Sequence, residues 1–405
     1  MKSGKKIRHE KDSNKSGRID QIIYFDEKEQ PLKIEKDTTG DDLFDSIYNF
    51  KGGRLVTYTK DTDGDGKMNV WQTYRDDKPL ERRVDENGDG KLERITLYDL
   101  EGLLKESHHD LDRNGKMEVF RLYRQGVLFE QKKDLDHDGR FEIITLFKDE
   151  QPLEQKKDTN GDGHFDITTH FKKGKPFYQE KDTNFNGKKD FFTYFDTKGI
   201  SEKIEEDTRH MGRIDRIRTY RKGEPVKVTY DADGDGFMET VTFFEKGKPN
   251  LQTQDRDRDG KADLKIFFDP KGKKKMVESD TNKDGKTDTW EYFKDAQLVR
   301  LERDENRNGK VSLKVFYKKG KKYRLIRDKD DDGRFEITQW FNRPKWSMVT
   351  ELDSDGDGKI EGRYCYKESI LRLKEIDEDS NGKVDLIEHY NAGGKLVKSE
   401  EDNGG

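Results

Sequence analysis

An aspartate returns along this chain every 24 or 25 residues, as Asp12, Asp37, Asp61, Asp85, Asp110, Asp134, Asp158, Asp182, Asp207, Asp231, Asp255, Asp280, Asp304, Asp328, Asp353 and Asp377. A seventeenth copy opens at Asp402 and is cut off. Recurrence at so short a period restricts the chain to architectures in which each unit buries a small face against its neighbours. The expectation is one repeat array over residues 1–405, its sixteen units opening at those aspartates.

Each aspartate begins a nine-residue loop, for example Asp61-Thr62-Asp63-Gly64-Asp65-Gly66-Lys67-Met68-Asn69. With that aspartate as position 1, position 3 is Asp or Asn in fourteen copies, Thr39 and Arg209 being the exceptions. Position 5 is Asp, Asn or Ser except at Met211, position 6 is Gly except at Asp42, and position 9 is acidic except at Asn69 and Ser312. Oxygens at 1, 3 and 5, the carbonyl at 7 and an acid at 9 have the spacing of a calcium loop, with glycine at 6 for the sharp turn. Calcium takes six to eight hard oxygen ligands, and no His or Cys cluster offers a softer alternative.

The candidate ligand sets are Asp12, Asn14, Ser16 and Asp20; Asp61, Asp63, Asp65 and Asn69; Asp85, Asn87, Asp89 and Glu93; and Asp110, Asp112, Asn114 and Glu118. They continue with Asp134, Asp136, Asp138 and Glu142; Asp158, Asn160, Asp162 and Asp166; Asp182, Asn184, Asn186 and Asp190; and Asp231, Asp233, Asp235 and Glu239. The last are Asp255, Asp257, Asp259 and Asp263; Asp280, Asn282, Asp284 and Asp288; Asp304, Asn306 and Asn308; Asp328, Asp330, Asp332 and Glu336; Asp353, Asp355, Asp357 and Glu361; and Asp377, Asp379, Asn381 and Asp385. The sets opening at Asp134, Asp231 and Asp353 are complete in carboxylates. The copy at Asp207 puts Arg209 and Met211 at ligand positions and is expected to hold no ion, Arg209 supplying positive charge instead; the copy at Asp37 lacks the glycine and is doubtful. Asp, Asn and Gly also build metal-free turns. Against that reading, three or four carboxylates a few ångströms apart repel unless a cation intervenes.

The loop resembles the EF-hand loop over its first nine positions only. Where an EF-hand has a bidentate glutamate at position 12, this chain has Thr96, Arg121, Thr145, Thr169 or Thr193, with acids only at Glu291 and Glu388. The nine-residue form is similar to the Asp-x-Asp-x-Asp-Gly-x-x-Asp loops of integrin-type and FG-GAP repeats, and to the calcium-rich type 3 repeats of thrombospondin. The integrin-type resemblance implies a loop that joins β-strands.

A strand pattern follows each loop, as in Glu142-Ile143-Ile144-Thr145-Leu146-Phe147. Position 14 is aromatic in all sixteen copies, from Phe25 to Tyr390, and position 8 is mostly apolar. Their shared parity suggests one inward face and a stacked aromatic core. Next comes a lysine-rich turn such as Lys172-Lys173-Gly174-Lys175-Pro176, where the extra residue of the 25-residue copies fits. A more polar second strand follows, with an apolar residue about five places before the next loop: Leu32, Val56, Leu80, Phe129, Phe177, Val226 and Val299. The expected fold is all-β, a tandem β-hairpin array forming an open, twisted or spiral antiparallel meander. Calcium loops line one edge and basic turns the other, in an arrangement that resembles MORN and YD hairpin repeats. An eight-bladed propeller and a closed ring are the alternatives.

Only 29% of residues are hydrophobic and 42% are charged, too little apolar material for a conventional globule of this length. The formal charge of −5 would become roughly +23 with about fourteen divalent ions bound. Cys365 is the only cysteine, which excludes an intramolecular disulfide framework. No stretch reaches the ~20 apolar residues of a membrane helix. Met1-Lys2-Ser3-Gly4-Lys5-Lys6 is basic with no apolar run behind it, unlike a signal peptide. Both ends fall inside a repeat, as in a fragment or a processed form.

No nucleophile triad, phosphate-cradling glycine loop or zinc cluster stands out, and His108-His109 reads as a solvated pair. The expectation is a non-enzymatic, bacterial, extracellular structural or adhesive protein ordered by about thirteen to fifteen calcium ions, with end-to-end self-association or a surface ligand as partner. External calcium suits modules with dissociation constants of about 10⁻⁴–10⁻³ M. The alternative is a module whose lysine rim grips acidic polysaccharide, lipid headgroup or nucleic acid; an intracellular calcium buffer is third.

Overall fold

The computed structural model describes residues 4–401, so the copy opening at Asp402 lies outside the described residues. Among these there are 33 strands and no helix. Contact density divides the chain into Met1–Ser201 and Glu202–Gly405. In each unit the strands follow chain order and pair antiparallel with their sequence neighbours. In the first, Val127–Lys133 pairs with Val119–Arg124 on one side and Ile143–Lys148 on the other. In the second, Gln297–Arg303 lies between Thr289–Lys294 and Leu313–Lys318. Pairing runs through consecutive repeats without the break that a four-strand blade requires, which rules out the propeller. The meander is also open: among the described residues Arg8–Lys11 pairs only with Gln21–Phe25, and Leu396–Glu401 only with Leu386–Tyr390. Within each unit, loops and turns therefore fall on opposite edges.

Turn chemistry follows repeat length. In 24-residue copies two central residues both take positive φ, as Lys173 (54°) with Gly174 (75°) and Asp149 (50°) with Glu150 (61°). That is the type I′ geometry whose twist matches paired strands. In the 25-residue copies opening at Asp12, Asp85, Asp182 and Asp255 an aspartate holds the longer turn: Asp196 Oδ1 accepts N–H bonds from Lys198 at 2.8 Å and Ile200 at 2.9 Å. Asp269 does the same for Lys271 and Lys273. The extra residue sits at the turn, as its sequence suggested.

The aromatic stripe departs from expectation. All sixteen rings at position 14 are half-buried, and none is among the fully buried residues. Two features explain this. First, the strand begins at position 10, so position 8 belongs to the loop and shares no strand parity with position 14. Second, in fourteen hairpins the register slips between positions 13 and 14. The surplus residue of this bulge lies on the returning strand, five places before the next loop, and it is apolar in most copies. Leu153 and Phe177, at such positions, are each 47% exposed. A bulge breaks alternation and re-aims side chains.

Among the described residues the substantial contacts between elements are those of ladder neighbours, and few strand side chains on either face are fully buried. The buried positions lie near the loops instead, Val70 and Val119 being 2% exposed. Elsewhere the rings are covered by each other and by cationic side chains. Tyr178 and Tyr194 have centroids 5.2 Å apart, Arg300 lies 4.0 Å over Tyr292, and Lys322 lies 4.2 Å over Phe341. Long charged side chains bury their stems this way while keeping their heads wet.

A ring that keeps part of its surface in water stabilises correspondingly less. Phe147→Ala should cost about 2–3 kcal/mol, below the 3–5 kcal/mol of a fully buried phenylalanine. Amide exchange in the flanking strands would measure it, and a loss well above 3 kcal/mol would mean a closed core.

Candidate metal centre

Each loop is built by its own carboxylates acting on its own backbone. In all sixteen copies, the position-9 side chain accepts a hydrogen bond from the amide of position 2. In all sixteen, Oδ2 of the position-1 aspartate accepts from the amide of position 6 at 2.6–3.1 Å. Positions 3 and 5 form overlapping Asx turns: Asp63 Oδ1 accepts from Asp65 N–H at 3.2 Å, and Asp65 Oδ1 from Lys67 N–H at 2.8 Å.

This explains two departures in the pattern. Asn69 accepts from Thr62 N–H at 3.0 Å and Ser312 Oγ from Glu305 N–H at 3.0 Å, so both close the loop without a charge. The Asp37 copy also forms, with Asp42 in the left-handed region (φ 71°) where glycine stands elsewhere. Sequence reading missed position 4, which is left-handed in every copy whether it is Gly64, Arg113 or Phe185.

The carboxylates then divide by depth. At positions 1 and 9 many are buried, including Asp61, Asp85, Asp110, Asp231, Glu93, Glu118, Asp166 and Asp190. Those at 3 and 5 lie at the exposed mouth. Backbone amides take both oxygens of the position-1 aspartate in most copies, as Gly64 and Gly66 do for Asp61, but only one oxygen of Asp134 and Asp353 and of each glutamate at position 9. Asp134, Asp136, Asp138 and Glu142 bring one oxygen each within 4.8 Å of the others, as do the sets Asp328–Asp330–Asp332–Glu336 and Asp353–Asp355–Asp357–Glu361. Asp61, Asp63 and Asp65 converge likewise.

Asp134 Oδ1, Asp353 Oδ1, Glu93 Oε1, Glu118 Oε1 and Glu361 Oε1 are buried with no hydrogen-bond donor. A buried acceptor left unmet is costly, and hard oxygens aimed at one point suit a divalent cation. The donor set thus fits a hard metal ion.

Loops with Glu at 9 differ from those with Asp. Where position 2 is Thr, the acid at 9 is Asp or Asn, and the hydroxyl often takes the second oxygen: Thr208 N–H and Oγ1 reach the two oxygens of Asp215 at 3.0 and 2.9 Å. Asp45 and Asp288 are similarly engaged, helped by Ser46 and Thr289. The longer Glu keeps one oxygen free of the loop's amides, Oε1 in Glu93, Glu118 and Glu361. That Thr–Asp pairing is visible in the sequence.

Electrostatics follow the hydrogen bonds. Burial raises the Asp61 carboxyl, but the Gly64 and Gly66 amides outweigh it and hold the group below its ordinary range. For Glu118 the balance reverses: burial pushes it up, and Asp110 and Asp112 add to the rise against the Leu111 amide.

Neighbouring loops also interact. Lys91 Nζ donates to Asn114 O at 3.1 Å, Arg334 to Asp355 O at 2.9 Å and Lys359 to Ser380 O at 2.9 Å, each from position 7 to the following loop. Arg209 reaches forward as well, to the carbonyls of Asp231 and Ala232. Its charge is thus shared between Asp215 of its own loop and Asp231 of the next, while its side-chain hydrogen bonds go to the next loop's carbonyls. The set at Asp231 is less free than its residues suggest, because Arg258 pairs with Asp235.

His108 and His109 are not simply solvated. His108 bonds Glu106 at 2.5 Å and lies 4.7 Å from the Phe120 ring. Burial first, then Arg121, lowers His109 from 6.5 to about 4.

No protein-family model and no curated protein matches this chain. Among solved structures it is similar to the crystal structure of TcdB2-TccC3-Cdc42, at 13% identity, covering 95% of this chain and 24% of that one, with a TM-score of 0.17. It is also similar to the Photorhabdus luminescens Tc holotoxin pore, at 12% identity, covering 95% and 25%, with a TM-score of 0.19. The chain spans about a quarter of those chains' length, and at such TM-scores the likeness carries nothing about function.

Two outcomes are expected. Ser312→Ala removes the acceptor of Glu305 N–H without touching a carboxylate and should cost about 1 kcal/mol locally. Faster exchange of the Glu305 amide would report it, and an unchanged rate would show that the closing bond contributes nothing. Second, an NMR titration should find His109 neutral down to about pH 4. Its folded pKa lies below the unfolded one, so the unfolded state binds the extra proton first. His109 therefore lowers stability as pH falls from 6.5 towards 4.

Proposed function

We propose that this chain is a non-enzymatic calcium-binding repeat protein that works outside the cell as a structural or adhesive segment. The observation that carries the reading is the set of buried carboxylate oxygens without donors at positions 1 and 9. In each competent loop the side chains at 1, 3, 5 and 9 and the carbonyl at 7 would hold the ion. Bound calcium would neutralise the clustered charge and join the start of the loop to the strand after it. Metal binding to such a unit contributes directly to folding.

The loops are graded on this reading. Glu93, Glu118, Glu142, Glu239, Glu336 and Glu361 mark the loops with the longer acid at 9, and of these the Asp231 loop is weakened by Arg258. The Asp207 loop ranks last, because Arg209 and Met211 cannot ligate calcium and both Asp215 oxygens are engaged. External calcium matches sites with dissociation constants of about 10⁻⁴–10⁻³ M.

Chelation should abolish much of the β circular dichroism signal, calcium should restore it, and magnesium should do so poorly because it dehydrates reluctantly. A chelated sample with unchanged spectrum and melting would overturn the reading. Metal analysis at limiting calcium should fill the Glu loops first, and an ion bound between Asp207 and Asp215 would overturn the ranking.

A further inference from the structure

The loop Asp110–Glu118 differs from the others in what lies over it. Position 4 of the following loop is His137, and its left-handed backbone (φ 63°) is shared by every position 4. The same position elsewhere also meets the preceding loop: a Cβ on Gly88 would stand 3.8 Å from Asp65 Oδ2, and Arg258 pairs with Asp235. At His137 the approaching group is an imidazole. Its Nε2 lies 3.0 Å from Asn114 Nδ2 and 3.4 Å from Asp112 Oδ2, and its Nδ1 lies 3.8 Å from Glu118 Oε1.

The Glu118 side chain is 7% exposed, with Oε2 accepting Leu111 N–H at 2.6 Å. Its Oε1 and His137 Nδ1 are both buried without any hydrogen-bond partner. They face each other at a distance too long for a hydrogen bond. Asp112, Glu118 and His137 nonetheless bring one ligand atom each within 4.8 Å of the others. Two ligands on a tetrahedral zinc-sized ion, each about 2.0–2.2 Å from it, stand roughly 3.4 Å apart.

We propose that this loop, in preference to calcium, binds a borderline-soft divalent cation of the zinc class, held by the Asp112 and Glu118 carboxylates and one imidazole nitrogen of His137. Calcium selects oxygen and gains little from an imidazole, whereas zinc, cobalt and nickel take nitrogen and carboxylate together. Because His137 belongs to the next unit, the ion would tie two consecutive repeats through a side chain as well as through their strand ladder. The site does not need calcium in the other loops.

Zinc titration of the full chain in millimolar calcium tests this, by calorimetry and by the visible d–d bands of cobalt as a surrogate. The native chain should bind one more equivalent than His137→Asn, a replacement suited to left-handed backbone, and the cobalt band of that equivalent should vanish in the variant. Glu118→Gln should also lose the equivalent while still accepting the Leu111 amide, with circular dichroism confirming its fold. Equal zinc stoichiometry in native and His137→Asn chains, or displacement of that zinc by millimolar calcium, would overturn the proposal. Loss of the calcium effect under chelation, with this zinc equivalent retained, would sink the calcium reading and leave this one standing.

Discussion

Every repeat depends on the hydrogen bond between the amide of position 2 and the side chain of position 9. It draws the end of a nine-residue loop back to its beginning and fixes where the next strand starts. Its companion, from the amide of position 6 to the first aspartate, holds the sharp turn between them. In most copies both oxygens of the first aspartate accept amides, whereas a glutamate at position 9 keeps one oxygen open. The loop is therefore a turn motif and a cation cradle at once: the amides that shape it take some of the acceptor oxygens and leave others unmet. Where Thr at position 2 consumes more of them, as at Asp215, the cradle is weaker.

The chain's high charge goes with strands whose two faces both stay partly in water. A sheet with both faces near water cannot bury its aromatic rings under other apolar side chains. It covers them with Lys and Arg stems and with ion pairs along the same face of a strand, such as Lys33–Glu35 and Arg300–Glu302. Exposed pairs of this kind contribute only about 0–1 kcal/mol each. The ladder of backbone bonds and the loops carry the structure, and the surface salt bridges add little to its stability. The exposed Leu153 and Phe177 at the bulges are a product of the same geometry.

Adjacent loops are coupled by side chains as well as by strands. Position 7 sends a cation to the carbonyls of the following loop, and position 4 sends a side chain back over the preceding one. Each cradle thus has a wall supplied by its neighbour. That wall is a glycine at Gly88, a guanidinium at Arg258 and an imidazole at His137, and it changes what the same nine-residue motif can hold.

The sequence by itself determined the repeat, its strands, its turns and the convergence of acids at 1, 3, 5 and 9, because these depend on residues within one unit. Period, Asx–Gly chemistry and β-branched runs are local signals, and an open hairpin meander followed from them. The Thr–Asp pairing between positions 2 and 9 was also legible, through residues such as Thr208 and Asp215. Tertiary structure decided what depends on register between units. The bulge at position 14 turned the expected aromatic core into a partly buried stripe, since one slipped residue reverses the facing of all that follow. Arg209 turned to the next loop and Arg258 to the previous one, and His137 met Glu118 across 19 positions of sequence. Such meetings are set by how far a strand pair carries one loop past another, a distance that no single repeat encodes.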